Sequence, residues 1–437
     1  MEQKTAVHSA PGLGRAEGVS NSRRWAVVTM LFAASLINYL DRSSISFALP
    51  LIAKDFNLGP EGKGLLLSTF FWSYTLMQVP IGWASDRLNL RWLYAGALIL
   101  WSFAQGLAGV ARSLLGLIAT RIILGVGESI YLPGGTRIVS LLFSSEERGL
   151  PSGVFDFGTR IGIACGSLIV PVLIVHYGWR RSFILVGFVA LLWLFPWLKI
   201  APRQLKATRN SDQASPEPYS KPSSSVVVRI LKPAKKWSRF LNRDLIGICL
   251  GFLGFDYFWY LLVTWLPDYM VMARHQNILK AGVFSALPFM VYGLSEPVGG
   301  WIADRLVRRG WNETRTRKTI ITIAYSFGLL LIPAALVKSV KLSVILLMGA
   351  CLVGLSTGNI SVIVQACAPY DEIGIWTGFQ NFTGNIGGVI APLATGYLIS
   401  RTGSYTPAFI LATGVLVVSL AAYWWVVGEL SCKENES

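Results

Sequence analysis

Several charged side chains stand in stretches that are otherwise apolar. The first stretch holds Asn38-Tyr39-Leu40-Asp41-Arg42, and a second holds Arg121 and Glu128 with Gly125 and Gly127 between them. A third carries Asp156 and Arg160, and single carboxylates follow at Asp256 and Glu296. A charge at the centre of a hydrocarbon layer costs about 2.5–3.5 kcal/mol or more, so each needs a partner, a water-filled cavity or a task. Guanidinium groups bind carboxylates and carboxylates exchange protons, so the set suits the handling of an organic anion together with a proton. Neighbours on a helix point about 100° apart, so Asp41 and Arg42 address different partners across a cavity. Arg121 and Glu128 share a face about 10 Å apart along the axis, and the glycines between them leave room for another helix or a ligand. Asp156 and Arg160 have the i,i+4 spacing of a salt bridge along one helix, which leaves a structural and a functional role equally open. Glu296, two turns before Asp304, and Arg137 are expected in a gate network.

Other polar residues offer weaker signals. Tyr74 and Gln78 lie one turn apart, and Asn359, Ser361, Gln365, Asn381 and Asn385 follow later in the chain; singly, such residues more often join helices than bind ligands. Trp25, Trp179, Trp265 and Trp425 are expected as anchors at the membrane interface. The three histidines, His8, His176 and His275, fall at the N-terminus or in expected loops, which leaves carboxylates as the proton carriers. Five scattered cysteines show neither metal spacing nor a disulfide framework. No metal and no cofactor are expected.

The elements that must position these residues follow from composition. Of 437 residues, 53% are hydrophobic and 14% charged, and mean hydropathy is +0.52. A soluble domain carries about 25% charged residues, so a soluble enzyme, a nucleic-acid binder and a secreted scaffold are excluded. The apolar runs predict an all-α membrane protein of twelve transmembrane helices in two six-helix halves. The expected spans are 25–53, 62–84, 91–111, 113–141, 149–176 and 181–199, then 244–272, 280–303, 318–338, 341–367, 372–400 and 405–428. A tail (1–24), a first bundle (25–200), a polar, Pro- and Lys/Arg-containing linker (201–243), a second bundle (244–428) and a last tail (429–437) complete the plan. The string Gly82-Trp83-Ala84-Ser85-Asp86-Arg87 recurs 218 residues later as Gly300-Trp301-Ile302-Ala303-Asp304-Arg305, as in transporters built from parallel repeats. The net charge of +16 is concentrated in connecting segments. Placing both termini in the cytoplasm puts 25 Lys and Arg inside against 10 outside, which favours that orientation.

With these residues in view, the chain resembles the major facilitator superfamily, whose cytoplasmic-loop motif is similar to Gly82–Arg91. Asn-Tyr-Leu-Asp-Arg at 38–42, Arg121-x-x-x-Gly125-x-Gly127-Glu128 and Thr264-Trp265-Leu266-Pro267 resemble its anion:cation symporter family. That family includes bacterial galactonate, glucarate and hexuronate carriers. The resemblance implies that Arg42 meets a substrate carboxylate, that Asp41 and Glu128 bind protons, and that Arg121 is the ionic partner of Glu128. It further implies that Tyr39, Tyr74 and Asn381 contact a sugar acid, and that Asp86 and Arg87, repeated as Asp304 and Arg305, stabilise a gate. Thr159 stands where such carriers often have Gln, and Asp156 and Arg160 are additions; a second cavity arginine would suit a diacid. A Gly-Pro signature typical of antiport is missing from Gly162–Pro171, which favours symport.

The expected protein is therefore a monomeric carrier in the bacterial cytoplasmic membrane, not an enzyme, whose partners are a small organic anion, protons and lipid, with no nucleic acid. An importer of aromatic or dicarboxylic acids and a metabolite or drug exporter are the alternatives on the same architecture.

Overall fold

The structure is a computed structural model that describes residues 19–143, 149–205, 242–368 and 373–430. Most of the expected linker and tails lies outside these residues. The chain is helical: α1 (Asn21–Asp55), α2 (Pro60–Arg87), α3 (Leu90–Ala108), α4 (Leu114–Glu128), α5 (Tyr131–Leu142), α6 (Gly149–Ala190) and α7 (Leu194–Ile200) come first. After the undescribed stretch come α8 (Arg243–Met272), α9 (Ile278–Arg308), α10 (Glu313–Gly328), α11 (Leu331–Leu336), α12 (Val340–Ala350), α13 (Thr357–Cys367), α14 (Ile373–Thr402) and α15 (Thr406–Ala421).

Several starts are set by short polar side chains. Ser20, Asn89, Ser113, Asn242, Asn277, Asn312 and Ser339 each cap a helix by accepting a hydrogen bond from a backbone N–H two or three residues on. A cap of this kind is worth about 1 kcal/mol. Large apolar side chains such as Leu76, Val79, Leu115, Val418 and Trp425 are exposed on the outside, which suits contact with lipid rather than water.

The expectation of twelve spans in two six-helix halves is overturned. Among the described residues, eight helical stretches are long and apolar enough to cross a membrane, two before the linker and six after it. The shortfall has two physical sources. Helices α1, α2 and α3 do not reach that apolarity; α1 carries Asn38, Asp41, Arg42 and a run of serines, and α2 and α3 are rich in Ser, Thr, Gln, Tyr and Trp. The expected spans 149–176 and 181–199 also run into one stretch, Leu150–Ile200. That stretch breaks at Gly178, whose φ of 75° and ψ of 160° lie outside helical values.

Close helix contacts are made through glycine. Gly158, Gly162 and Gly166 form a stripe on α6, and a Cβ on them would meet the Phe32 carbonyl, the Leu36 carbonyl and the Ser43 hydroxyl of α1. Small residues of this kind let membrane helices approach backbone to backbone. Gly64 on α2 lies under the Pro392 carbonyl and Gly396 of α14, and Gly282 on α9 lies against Ser167 and Pro171 of α6. The Gly64 contact joins an early helix to a late one near the start of α2, and the Gly282 contact joins α9 to α6.

The same end carries a buried polar clasp. Lys63 Nζ on α2 donates to Asp268 of α8 at 2.9 and 3.2 Å, with side chains 9% and 0% exposed. Tyr405 donates to Oδ2 of the same carboxylate at 2.5 Å, an oxygen it shares with Lys63, and Ser400 donates to Glu61 at 2.6 Å. Two sequence expectations fail here. Trp265 is no interface anchor: it is fully buried and packs edge-on to Tyr405 at 6.2 Å. Trp179 is buried as well and donates to Asp55.

Removing one partner of a buried ion pair strands the other, at about 3–5 kcal/mol. Lys63→Met should therefore lower the thermal unfolding midpoint of the purified protein clearly. An unchanged midpoint would show that Asp268 is not held by this lysine.

Candidate functional site

Arg42 stands where α1, α2 and α4 meet. Its Nε donates to Glu128 Oε2 at 2.8 Å, with the two side chains 4% and 0% exposed. Three aromatic rings surround the guanidinium, with its carbon 4.7 Å from the centre of Tyr39, 4.8 Å from Phe70 and 4.5 Å from Tyr74. Each such contact stabilises a desolvated cation by about 0.5–2 kcal/mol. Arg121 lies over the same Phe70 ring at 5.0 Å, so one ring carries two guanidinium groups.

The glycines of α4 produce this meeting. A Cβ on Gly125 would strike Ser73 and the Phe70 carbonyl of α2, and one on Gly127 would strike Trp101 of α3. Their space is taken by helices, not by a ligand, and α4 settles on α2 with Glu128 at its last turn. Glu128 is thereby drawn to Arg42 rather than to Arg121, which corrects the expected partner. Among the described residues no carboxylate lies within ion-pair distance of Arg121.

Buried hydrogen-bonding capacity remains around this pair. Both oxygens of Asp41, Arg42 Nη2, and Arg121 Nε and Nη1 are buried without a protein partner, and Asn38 is buried beside Glu128. Native interiors satisfy nearly all such groups, so each exception calls for a water, an ion or a ligand. Tyr39, Arg42, Phe70, Phe71, Arg121, Tyr260 and Thr264 line a void of about 10 Å³, room for about one water. An organic acid can enter only by displacing side chains.

A second charged group lies on the neighbouring helices. Arg160 Nε donates to Glu296 Oε2 at 2.9 Å, joining α6 to α9, and Gly293 leaves space for the Arg160 stem. Its guanidinium lies 5.3 Å from the Trp259 ring and 4.9 Å from Tyr292. The local pair with Asp156 therefore does not form; Asp156 accepts from Tyr131 at 2.9 Å instead, and Tyr131 packs on Tyr39 at 6.3 Å. Glu296, expected in a gate network, is the partner of Arg160 across the α6–α9 contact. Thr159 is buried with its hydroxyl free of protein partners. Asn381 enters through its carbonyl, which accepts from Asn385, while Asn385 accepts from Tyr260 at 2.9 Å.

The repeated motif residues lie apart from both groups. Asp86 pairs with Arg137 at 3.1 Å, and Asp304 with Arg317 at 3.0 Å. Arg87 lies over Trp83 and Arg305 over Trp301, so the two copies make matching contacts. Sequence reasoning missed Phe70, Tyr260 and the Lys63–Asp268–Tyr405 clasp. Aromatic residues in an apolar helix give no signal of function, and Lys63 and Asp268 stand near helix ends, where charges are ordinary.

The Major Facilitator Superfamily model matches residues 31–392. The chain is 31% identical over 424 residues to the D-galactonate transporter of Escherichia coli O6:H1, covering 93% of this chain and 96% of that one. It is 29% identical over 431 residues to a probable galactarate/D-glucarate transporter of Escherichia coli K12, covering 94% of each. Among solved structures, a bacterial homologue of the human lysosomal transporter Spinster superposes with a TM-score of 0.76 at 17% identity, over 94% of this chain and 98% of that one. The chain is a multi-pass membrane protein with a transport function, not an enzyme. It belongs to the Major Facilitator Superfamily, and it resembles bacterial galactonate and glucarate transporters within it.

Gly125 is the residue that brings α4 onto α2. Overpacking a close contact costs about 1–3 kcal/mol, so Gly125→Val should lower thermal stability and weaken binding of any anion held at Arg42. Wild-type stability in this variant would contradict the packing described.

Proposed function

We propose that the protein is a secondary transporter that takes up a small organic anion with protons, the anion being a sugar acid such as a hexonate, hexuronate or aldarate. The observation that carries this reading is the buried guanidinium of Arg42, caged by three rings and held by a single carboxylate that a substrate could replace. The similarity to a D-galactonate transporter and a probable galactarate/D-glucarate transporter supports an acidic sugar as cargo.

The coupling follows from charge. In a dry site a carboxylate without a counter-charge is costly. When a substrate carboxylate takes Arg42, Glu128 loses its partner and takes up a proton. Binding of proton and anion then favour one another, and the coupling is reciprocal. Asp41, buried without a protein partner, serves as the second proton carrier. Arg121, beside the same Phe70 ring, steadies the negative charge, and Tyr39, Tyr74, Thr159 and Asn381 contact the sugar chain. Moving a monoanion inward against the membrane potential costs about 2.3 kcal/mol per 100 mV; one proton cancels this, and two make the potential assist.

The excess of Lys and Arg on one side supports an orientation with both termini in the cytoplasm. In that orientation the Lys63–Asp268 clasp closes the outer end, and the Asp86–Arg137 and Asp304–Arg317 pairs belong to the cytoplasmic end. Lipid surrounds a single monomeric chain in the bacterial inner membrane.

Two variants test the reading. Glu128→Gln should abolish proton-driven accumulation while leaving binding or exchange; undiminished concentrative uptake would refute its role. Arg42→Ala should cost about 2 kcal/mol or more of affinity for a carboxylate substrate, as expected when a charge-assisted contact is lost. Equal binding of the acid by both forms would remove Arg42 from the site.

A further inference from the structure

The Arg160–Glu296 pair repeats the design of the Arg42–Glu128 pair: a guanidinium against aromatic rings, with one carboxylate on its Nε. Its electrical surroundings differ. Near Arg42 stand two guanidinium groups, Arg42 and Arg121, and two carboxylates, Asp41 and Glu128. Near Arg160 stand one guanidinium and three carboxylates: Glu296 from α9, Asp156 from α6 and Asp256 from α8, all within electrostatic reach. The remaining groups facing Arg160 are the neutral rings of Trp259 and Tyr292, with Tyr39 nearby. One end of the site holds guanidinium and carboxyl groups in equal number, and the other gathers three carboxyl groups around one guanidinium. Tyr39 links them, since its ring cages Arg42 and packs on Tyr131, which holds Asp156.

Building on the assignment of Arg42 as the carboxylate-binding group, we infer that Glu296 is a specificity-determining residue that keeps Arg160 occupied and so narrows the cargo proposed above to acids with a single carboxylate, leaving out the aldarates. Glu296 holds the guanidinium that the far carboxylate of a diacid would need, and Asp156 stands beside that guanidinium to repel a second negative charge. The same carboxylates accept hydrogen bonds, so they favour a hydroxylated tail. Discrimination built from a repulsive element in this way is a common route to specificity. Glu296 acts through Arg160 and is a positioning residue; the second arginine is not a receptor for a diacid while this partner holds it.

The test compares binding of two six-carbon probes of one configuration, galactonate and galactarate, to the full-length purified protein at pH 7.5. The wild type should bind galactonate about tenfold or more tightly than galactarate. Glu296→Gln frees Arg160 and should shift the ratio about tenfold toward galactarate, and Arg160→Gln added to Glu296→Gln should cancel that shift. Loss of packing alone would weaken both acids together and leave the ratio where it was, which overturns the inference, as does a wild type that binds both equally. The failure of the Arg42 assignment looks different: Arg42→Ala would then leave galactonate binding intact. If Arg42→Ala removes both acids while the wild-type ratio is one, only the role of Glu296 falls.

Discussion

A guanidinium removed from water needs a negative partner, and at Arg42 that partner is a single carboxylate, Glu128, 2.8 Å away. The rest of the site depends on this bond. Coulomb attraction in a poorly screened interior is strong, but so is the cost of desolvating both groups, and the two nearly cancel. A pair in that balance can be opened by a competing anion without a large penalty. The three rings around Arg42 lower the cost further, because they still face the cation when its carboxylate leaves.

The packing places this bond with little freedom. The stripe of Gly158, Gly162 and Gly166 brings α6 against α1, and Gly125 brings α4 against α2. Residues 86 positions apart therefore meet at hydrogen-bond distance. Access is closed on the side of the Lys63–Asp268–Tyr405 clasp, where α2, α8 and the start of α15 converge. The small void beside Arg42 fits this closed arrangement: the side chains that would contact cargo fill its place.

What could be read from the sequence was the presence of costly charges, not their pairing. Asp41, Arg42, Arg121 and Glu128 stood out because apolar surroundings make any charge conspicuous, and the structure gathers them around α1, α2 and α4. Local spacing did not settle the pairing at this site. Asp156 and Arg160 had ideal helical spacing, yet Arg160 took Glu296 across the interface and Asp156 took a tyrosine. A buried cation is stabilised most by a carboxylate that reaches it in three dimensions, and helix spacing does not contain that information. The span count failed for a related reason: the helices that carry polar residues into the interior, α1 and α2 above all, are those that do not look apolar enough to cross. The repeat, by contrast, was legible at residue level, since both copies place Arg on Trp and Asp on a distant Arg.

The central claim is that an anion and Glu128 exchange places on Arg42, so that binding cargo entails taking up a proton. Titration calorimetry of a sugar acid into the purified protein, repeated in buffers of different ionisation enthalpy, counts the protons taken up on binding. Net uptake of protons on binding, reduced in a protein whose residue 128 cannot ionise, is the result this account predicts. Binding of undiminished affinity with no proton exchange at any pH between 5 and 8 would contradict it.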